Sequence, residues 1–319
     1  MKQHYVRDLI PGEEITEFFI VKRAEVKTGA NGKQYFDILL GDKTGDVSGK
    51  KWDVDGAEEE GLSRYKVGEI VKVRGMITEW NGSPQVRISR IRRSSDGDIL
   101  EMSDYLKTAP ESPESMFDYI HERAEKIEDA DFRAVALALL DRNKDRLLFY
   151  PAAKSNHHAI FGGLLYHVKR MLMLAERISE VYTVLNSDLL ATGVIIHDID
   201  KLAEMDADEN GTVREYTFEG QMLGHLVMGV RTIDRLAAEL GLSNEKAVML
   251  EHMMISHHYE AEYGSPKKPL FPEAEALHYL DMIDSKLYDF EDALVPVVPG
   301  GFSDWIRTLD GRRLYKAMR

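Results

Sequence analysis

The chain has 319 residues, a formal net charge of −14 at pH 7 and no cysteine. Its length predicts two domains, and the lack of thiols excludes disulfides, thiolate metal sites and a cysteine nucleophile. Because it has neither a run of about 18 apolar residues nor the apolar segment of a signal peptide, we expect a cytoplasmic protein with no membrane partner.

The charge is unevenly distributed along the chain. Residues 1–95 contain 17 Lys and Arg against 15 Asp and Glu, whereas residues 96–319 contain 24 against 40. An acidic bulk argues against broad, non-specific binding of duplex nucleic acid, which depends on many basic contacts to phosphates. It leaves room for a narrow groove with a local basic lining.

Residues 1–95 are predicted to form a β-barrel domain. Short alternating runs rich in β-branched and aromatic residues predict five strands. These strands lie at about 15–27, 34–41, 45–53, 68–80 and 84–93. A polar connection that begins at Asp55 is predicted to be helical and separates the third strand from the fourth. Five strands with a helical insert at this point describe an OB-fold.

Beyond the barrel the periodicity becomes helical. Residues 96–114 are predicted to be a polar linker, residues 115–294 an all-α domain and residues 295–319 a C-terminal tail. The helices are predicted at about 114–128, 130–148, 158–184, 187–202, 219–240, 243–260 and 271–292. The acidic segment from Asp206 to Tyr216 is predicted to be a loop.

Adjacent His197 and Asp198 give the strongest indication of function. They close a long apolar run that starts at Leu189, so an imidazole and a carboxylate at the end of a buried helix could bind one divalent metal ion. At 100° per residue, Lys201 lies between them in helical phase. All three side chains could therefore face one cavity.

Further candidate ligands recur at the spacing of successive helices. His167 precedes His197 by 30 residues. His225, the pair His257-His258 and Asp281 follow at intervals of 28, 32 and 24 residues. A lone histidine in an apolar helix is more often a hydrogen-bonded core residue, but an ordered set with one member per helix favours ligands. Asp284 faces much the same way as Asp281, which we favour because it directly follows the apolar Leu280.

The candidate ligands divide into two sets that share one carboxylate. The first set is His167, His197, Asp198 and Asp281, and the second is Asp198, His225, His257 and His258. Water between two ions, with its pKa lowered by them, could attack phosphorus in line, and Lys201 could stabilise phosphoryl oxygens or relay a proton. Asp198 and Lys201 are therefore the candidate catalytic residues, and Mn, Mg, Fe or Co is favoured over a structural zinc.

Candidate substrate-binding residues lie in both predicted domains. In the second, a polar cluster precedes the helix that carries His167, where a helix start suits an anion and a solvated cap is an equally good interpretation. The cluster is Lys154, Ser155, His157 and His158. Lys267 and Lys268, in a loop rich in Pro and Gly, could contact phosphates or simply be solvated.

In the first domain, aromatic and basic residues are interleaved. Tyr35 and Trp52 lie among basic residues that include Lys51 and Arg87, a pattern typical of OB-folds that stack bases beside a basic groove. Strand alternation puts Tyr35 and Phe36 on opposite faces, so one of the two must belong to the core.

The order of His167, His197-Asp198 and Asp281 resembles the HD superfamily of metal-dependent phosphohydrolases, and the additional histidines resemble its binuclear branch. A narrower similarity is to the YhaM-type exoribonucleases, in which an OB-fold precedes the HD domain. It rests on residues 149–153, 157–159, 162–164, 224–225 and 256–269. One departure is Asp200, where such motifs usually have glycine; we expect it to lie behind the site or at the surface.

The resemblance implies 3′→5′ hydrolysis of single-stranded RNA, with single-stranded DNA as a second substrate, releasing nucleoside 5′-monophosphates. It implies two divalent metal ions, Mn first and Co, Fe, Mg or Ni as alternatives, and a homo-oligomer. Two other interpretations stay open: an HD phosphohydrolase of nucleotides or cyclic dinucleotides with a regulatory OB-fold, and a DNA-binding protein with a structural HD domain. A strand-binding module favours the polymer as substrate.

Overall fold

A computed structural model describes residues 2–29, 32–52, 54, 61–62, 64–95, 97–154 and 158–318. The chain divides into two compact units, residues 1–108 and 109–319. The predicted helical connection at residues 55–60 lies outside the described residues.

The first unit is a closed five-stranded barrel. Its strands are β1 (Glu14–Thr28), β2 (Gln34–Asp42), β3 (Gly45–Trp52), β4 (Ile70–Trp80) and β5 (Ser83–Arg93). The order around the barrel is β1-β2-β3-β5-β4, with only the β3–β5 pair parallel. This is an OB-fold, and the five predicted strands are confirmed to within two residues at each end.

The barrel core follows the period of two in the sequence. Inward-facing side chains such as Phe19, Phe36 and Val73 are fully buried. At Gly75 the backbone comes so close to β5 that an added Cβ would lie 2.5 Å from the Arg87 carbonyl oxygen. This close approach sits beside an irregularity in the β4–β5 register, so glycine is needed there for the barrel to close.

The start of the predicted linker packs on the barrel. The Asp104 carboxylate accepts hydrogen bonds from the Tyr5 hydroxyl at 2.6 Å and from Lys43 Nζ at 2.9 Å. Tyr105 is buried in a small cluster with Ile20 and Ile70. These contacts explain why the first compact unit extends to residue 108.

The second unit is helical. Its helices are α1 (Pro113–Glu125), α2 (Ala130–Leu147), α3 (Gly163–Val181), α4 (Ser187–Ile196), α5 (Lys201–Glu204), α6 (Phe218–Leu240), α7 (Asn244–Ser256) and α8 (Pro272–Leu294). The predicted helical content is confirmed, apart from helix ends that differ by up to four residues and three larger differences. The helix expected from residue 158 begins at Gly163, because His158 and Gly162 have φ of +53° and +69°, values that no right-handed helix accepts.

The other two differences lie around the candidate ligands. The helix predicted to reach residue 202 ends at Ile196, and the chain turns at His197 before the short α5. The segment predicted as an acidic loop contains a two-stranded hairpin, β6 (Met205–Ala207) and β7 (Val213–Tyr216).

The helical core holds the segment after Asp198 in place. Helix α4 is buried along most of its length and packs against α2, α3 and α8. The hydroxyl of the fully buried Tyr150 donates to the backbone carbonyl oxygens of Leu202, at 2.9 Å, and Met205. The residues that follow Asp198 are thus anchored from another part of the chain.

The predicted C-terminal tail folds onto itself. Isolated bridges pair Phe302 with Tyr315 and Ile306 with Arg312, and Leu309 is fully buried. Among the helices that the structure describes, none has the length and apolar character needed to cross a membrane.

Candidate metal centre

His197 and Asp198 lie in the turn that ends α4, and both are buried. The His197 Nδ1–H donates to the Val194 carbonyl oxygen at 2.8 Å, because a carbonyl can only accept. Its Nε2 therefore faces the Asp198 Oδ2 at 3.3 Å. Burial alone would raise the pKa of Asp198, but nearby Lys201 and the surrounding histidines hold it well below its usual range.

The first predicted ligand set comes together around His167. Its Nε2 lies 3.3 Å from His197 Nε2, 3.4 Å from Asp281 Oδ1 and 3.9 Å from Asp198 Oδ2. Its Nδ1–H donates to Asp284 Oδ2 at 2.7 Å. With both Nδ1 atoms donating elsewhere, two lone pairs face each other across 3.3 Å, an arrangement that a cation between them would stabilise.

The second set lies on the other side of Asp198. His225 Nε2 is 3.5 Å and His257 Nε2 is 3.9 Å from Asp198 Oδ1. The metal-binding atoms of His225, His257 and His258 lie within 4.8 Å of one another. The Nδ1–H groups of His257 and His258 donate to the carbonyl oxygens of Met254 and Tyr263, which leaves each Nε2 with a free lone pair.

Three buried polar atoms test whether these residues fit a metal. Asp198 Oδ1, His225 Nε2 and His257 Nε2 make no hydrogen bond to any residue that the structure describes. Leaving three such atoms unsatisfied is costly. The donor set of imidazoles and carboxylates, with Asp198 Oδ2 facing one group and Oδ1 the other, fits divalent metal ions.

Asp281 and Asp284 occupy different positions. Asp281 faces the cluster, whereas Asp284 lies behind His167, accepts a hydrogen bond from His158 Nε2 at 2.7 Å and forms an ion pair with Arg170 Nε at 2.6 Å. Asp284 therefore orients the imidazole of His167, as carboxylates commonly do for metal-binding histidines.

His158 does not lie where a substrate-binding residue is expected. It is fully buried, and burial lowers its pKa to about 4. The helix that the sequence placed at residue 158 begins five residues later, so His158 turns inward towards Asp284 and not to the surface. The prediction that it contacts substrate does not fit this placement.

Glu204 supports the second set and was missed by the sequence analysis. Its carboxylate accepts from the His225 backbone N–H at 3.0 Å and from the His225 Nδ1–H at 3.1 Å. His225 reaches it because Gly224 adopts φ +68° and ψ 158°, which kinks α6. One feature of the sequence could have indicated it: each metal-binding imidazole needs a hydrogen-bond acceptor for its other nitrogen, and Glu204 is an acidic residue close to Lys201.

Lys201 and Asp200 lie close to the cluster in different roles. Lys201 Nζ donates to Asp198 Oδ2 at 2.7 Å, and although burial lowers its pKa, the Asp198 carboxylate raises it above the usual value. Asp200 is buried and accepts from the Thr232 hydroxyl at 2.9 Å. Burial raises the pKa of Asp200, so this departure from glycine is accommodated against α6.

The remaining substrate candidates of the helical unit are exposed. Lys154 Nζ lies 5.7 Å from the ring centre of Tyr216, and Lys268 Nζ lies 4.5 Å from that of Tyr259. Lys267 is also exposed. Ser155 and His157 lie outside the described residues.

In the barrel, two predicted aromatics lie side by side. The rings of Tyr35 and Trp52 stack at 4.9 Å, with Lys50 Nζ 5.2 Å from Tyr35, and Trp52 is 46 % exposed. Phe36 is the inward-facing neighbour of Tyr35. Lys51 follows Lys50 and, by alternation, points to a different groove, so it is not grouped with Trp52 as expected. Arg87 is exposed on β5.

The fold and the cluster define an HD-domain protein with an N-terminal OB-fold. The HD domain family matches residues 164–286. A 3′-5′ exoribonuclease YhaM from Geobacillus sp. (strain WCH70) is 40 % identical over 96 % of this chain and 92 % of its own. One from Halalkalibacterium halodurans is 36 % identical over 96 % and 93 %. The chain belongs to the YhaM family of 3′-5′ exoribonucleases.

A solved domain of replication protein A from Methanococcus maripaludis is 22 % identical, with a TM-score of 0.23. It covers 28 % of this chain and 92 % of its own. The OB-fold assignment depends on the strand order described above and not on this similarity.

Proposed function

We propose that this protein is a metal-dependent 3′→5′ exoribonuclease that acts in the cytoplasm. Its substrate is single-stranded RNA, with single-stranded DNA as a second substrate, and its products are nucleoside 5′-monophosphates. The observation that carries this proposal is the buried Asp198 carboxylate between two groups of histidines. Membership of a family whose relatives are named as 3′-5′ exoribonucleases supports the reaction and its direction.

Two divalent ions would be held by the predicted ligands. One would be held by His167, His197, Asp198 and Asp281, and the other by Asp198, His225, His257 and His258. When bound, such ions supply water of lowered pKa and stabilise charge on phosphoryl oxygens. Imidazole ligands suit Fe, Co or Ni, carboxylate ligands suit Mn, and Mg prefers sites made of oxygen alone; for this mixed set we propose Mn.

The protein's own groups fix the geometry of the reaction. Lys201 is held 2.7 Å from Asp198, where its ammonium can neutralise a phosphoryl oxygen that approaches the cluster. Asp284 and Glu204 hold the imidazoles of His167 and His225 in one orientation. Preorganised charge of this kind needs no rearrangement during the reaction.

Strand binding is proposed for exposed groups of both units. Tyr35 and Trp52 offer stacking surfaces, and Arg87, Lys154, Lys267 and Lys268 offer charges for phosphates. We also propose a homo-oligomer, supported by the exposed apolar side chains of Tyr279, Ile283 and Leu287, which recur at helical spacing on α8.

The direct test uses RNA labelled at either end, Mn and the variant Asp198→Asn. We expect the 3′ label to leave first as a mononucleotide, and the 5′ label to give a ladder that shortens one nucleotide at a time. The variant should lower kcat/KM by at least about 10³-fold, because the shared charge is worth several kcal/mol. Asp141→Asn, an exposed acid next to His121, is the matched control and should retain full activity.

Other outcomes would contradict the proposal. Turnover of small nucleotides alone would favour the nucleotide phosphohydrolase. Strand binding without any turnover would favour a nucleic-acid-binding protein in which the helical unit is a scaffold.

A further inference from the structure

A second groove on the barrel is lined by residues of β1, β4 and β5, by Lys51 of β3 and by Tyr65, and neither Tyr35 nor Trp52 lines it. Its volume is about 630 Å³. Five of its lining residues are cationic: Lys51, Lys72, Arg74, Arg90 and Arg92. Among the described residues that line it, none is acidic. In a chain of net charge −14, this is a concentrated positive surface.

The strand register places like charges directly opposite each other. Lys72 pairs with Arg92 and Arg74 pairs with Arg90 across the antiparallel β4–β5 ladder. Like charges at directly opposite positions destabilise a sheet. Two such pairs in succession, retained at a cost in stability, indicate that the surface is selected for a negatively charged ligand.

Two of the arginines that line the groove have acidic partners, and a third has none among the described residues. Arg74 Nε pairs with Glu14 at 2.9 Å, and both side chains are about half exposed, so this pair contributes little. Arg92 binds Asp98 through two hydrogen bonds, at 2.7 and 2.8 Å. Arg90 is exposed and has no ion pair or hydrogen bond with any residue in the described ranges.

The groove differs from the Tyr35–Trp52 wall in what it offers a ligand. That wall presents two stacked rings, which suit bases. The groove presents guanidinium and ammonium groups, with a single tyrosine, Tyr65, among its lining residues. Closely spaced arginines match the geometry of phosphate oxygens.

We propose that the groove lined by Lys72, Arg74, Arg90 and Arg92 binds the sugar–phosphate backbone of a single-stranded nucleic acid, without reading its bases. The proposal names a second strand-binding surface and rests on the proposed function only for the kind of polymer. The barrel then has two walls with separate tasks, one for bases and one for phosphates.

The test measures binding in EDTA, so that no turnover occurs. The full-length protein is titrated with a fluorescent oligo-U RNA of about 20 nucleotides at several KCl concentrations, as wild type, Arg90→Gln and Lys72→Gln/Arg90→Gln. The affinity should fall several-fold, and the slope of log K against log[salt] should decrease by about 0.7 for each phosphate that the variant no longer neutralises. The same decrease is expected with RNA of mixed sequence.

Arg7→Gln is the matched control. It removes one charge from an exposed arginine whose nearest ion pair is a surface contact with Asp8, so its slope should equal that of the wild type. Arg90→Gln also removes a repulsive cross-strand pair, so its thermal midpoint should stay equal or rise. Unfolding therefore cannot explain weaker binding.

The outcomes separate this proposal from the proposed function. If the slope of log K against log[salt] is the same in the double variant and the wild type, the proposal that the groove binds phosphates is wrong, even if RNA is hydrolysed in Mn. Reduced slopes together with no hydrolysis of RNA by the wild type in Mn would overturn the exonuclease and leave the groove standing. Turnover of a dinucleotide in Mn should be equal in wild type and Arg90→Gln.

Discussion

The histidine cluster and the barrel surfaces use polar residues in opposite ways. Around Asp198 the side chains are buried, and nearly every imidazole has one nitrogen fixed by a carbonyl or carboxylate. On the barrel, the arginines of β4 and β5 are exposed, and Arg90 has no ion pair or hydrogen bond with the described residues. Chemistry on a phosphate needs groups that do not move, whereas holding a flexible strand needs charges that remain accessible.

This comparison predicts that the stability of the helical unit depends on pH, whereas nucleic-acid binding by the barrel depends on salt concentration. The largest effect concerns His158, whose pKa burial lowers to about 4. Since an unfolded histidine binds its proton near pH 6.5, the unfolded state takes up a proton first as the pH falls. The unfolding free energy should decrease between about pH 6.5 and about 4, by up to about 3 kcal/mol.

Urea unfolding at about pH 7, 5.5 and 4.5, which covers most of that window, measures this dependence. His158→Gln, which keeps an N–H donor for Asp284, should show a shallower dependence than the wild type. Asp284 does not change its charge in the folded protein over this pH range, because its pKa is lowered. His121→Gln is the control, since His121 forms its contacts at the surface. Equal slopes for all three proteins would contradict the buried, neutral state of His158.

An intermediate effect is expected for Glu204→Ala. Removing the acceptor behind the His225 imidazole should weaken Mn binding by about 10–100-fold, the usual result when the partner of a metal-binding histidine is removed. Calorimetric titration of the metal-stripped protein measures it. Glu209→Ala, an exposed acid in the following hairpin, should bind Mn like the wild type; if both variants do, the role of Glu204 is disproved.

The smallest effect is expected on the barrel, for Trp52→Ala. Removing one stacking surface costs about 1 kcal/mol, so KM for a long RNA should rise about fivefold while kcat and dinucleotide turnover stay constant. Trp80→Ala is the control, because Trp80 is exposed but stacks on no ring among the described residues. A fall in kcat for Trp52→Ala would show that the separation between chemistry and binding is wrong.

Much of this architecture could be predicted from the sequence. The bounds of the barrel strands are predicted to within two residues, because the alternation of apolar and polar residues indicates both a strand and its buried face. The spacing of His167, His197, His225 and His257 indicated one ligand per helix, and the structure brings these residues together around Asp198.

The parts that were missed depend on local backbone geometry. The inward turn of His158 follows from φ of +53° and could not be inferred from periodicity. Glu204 lies in a four-residue helix, too short to show a pattern. Lys50 and Lys51 point in separate directions because side chains alternate along a strand, a distinction that the sequence already contains.

The hydroxyl of Tyr150 links two stretches of chain that are about fifty residues apart, by donating to the carbonyl oxygens of Leu202 and Met205. Lys201 and Glu204 therefore owe their placement to an aromatic side chain that belongs to the packed interior. A replacement of Tyr150 by phenylalanine would resemble an active-site defect in a genetic screen, although the missing oxygen never touches the nucleic acid.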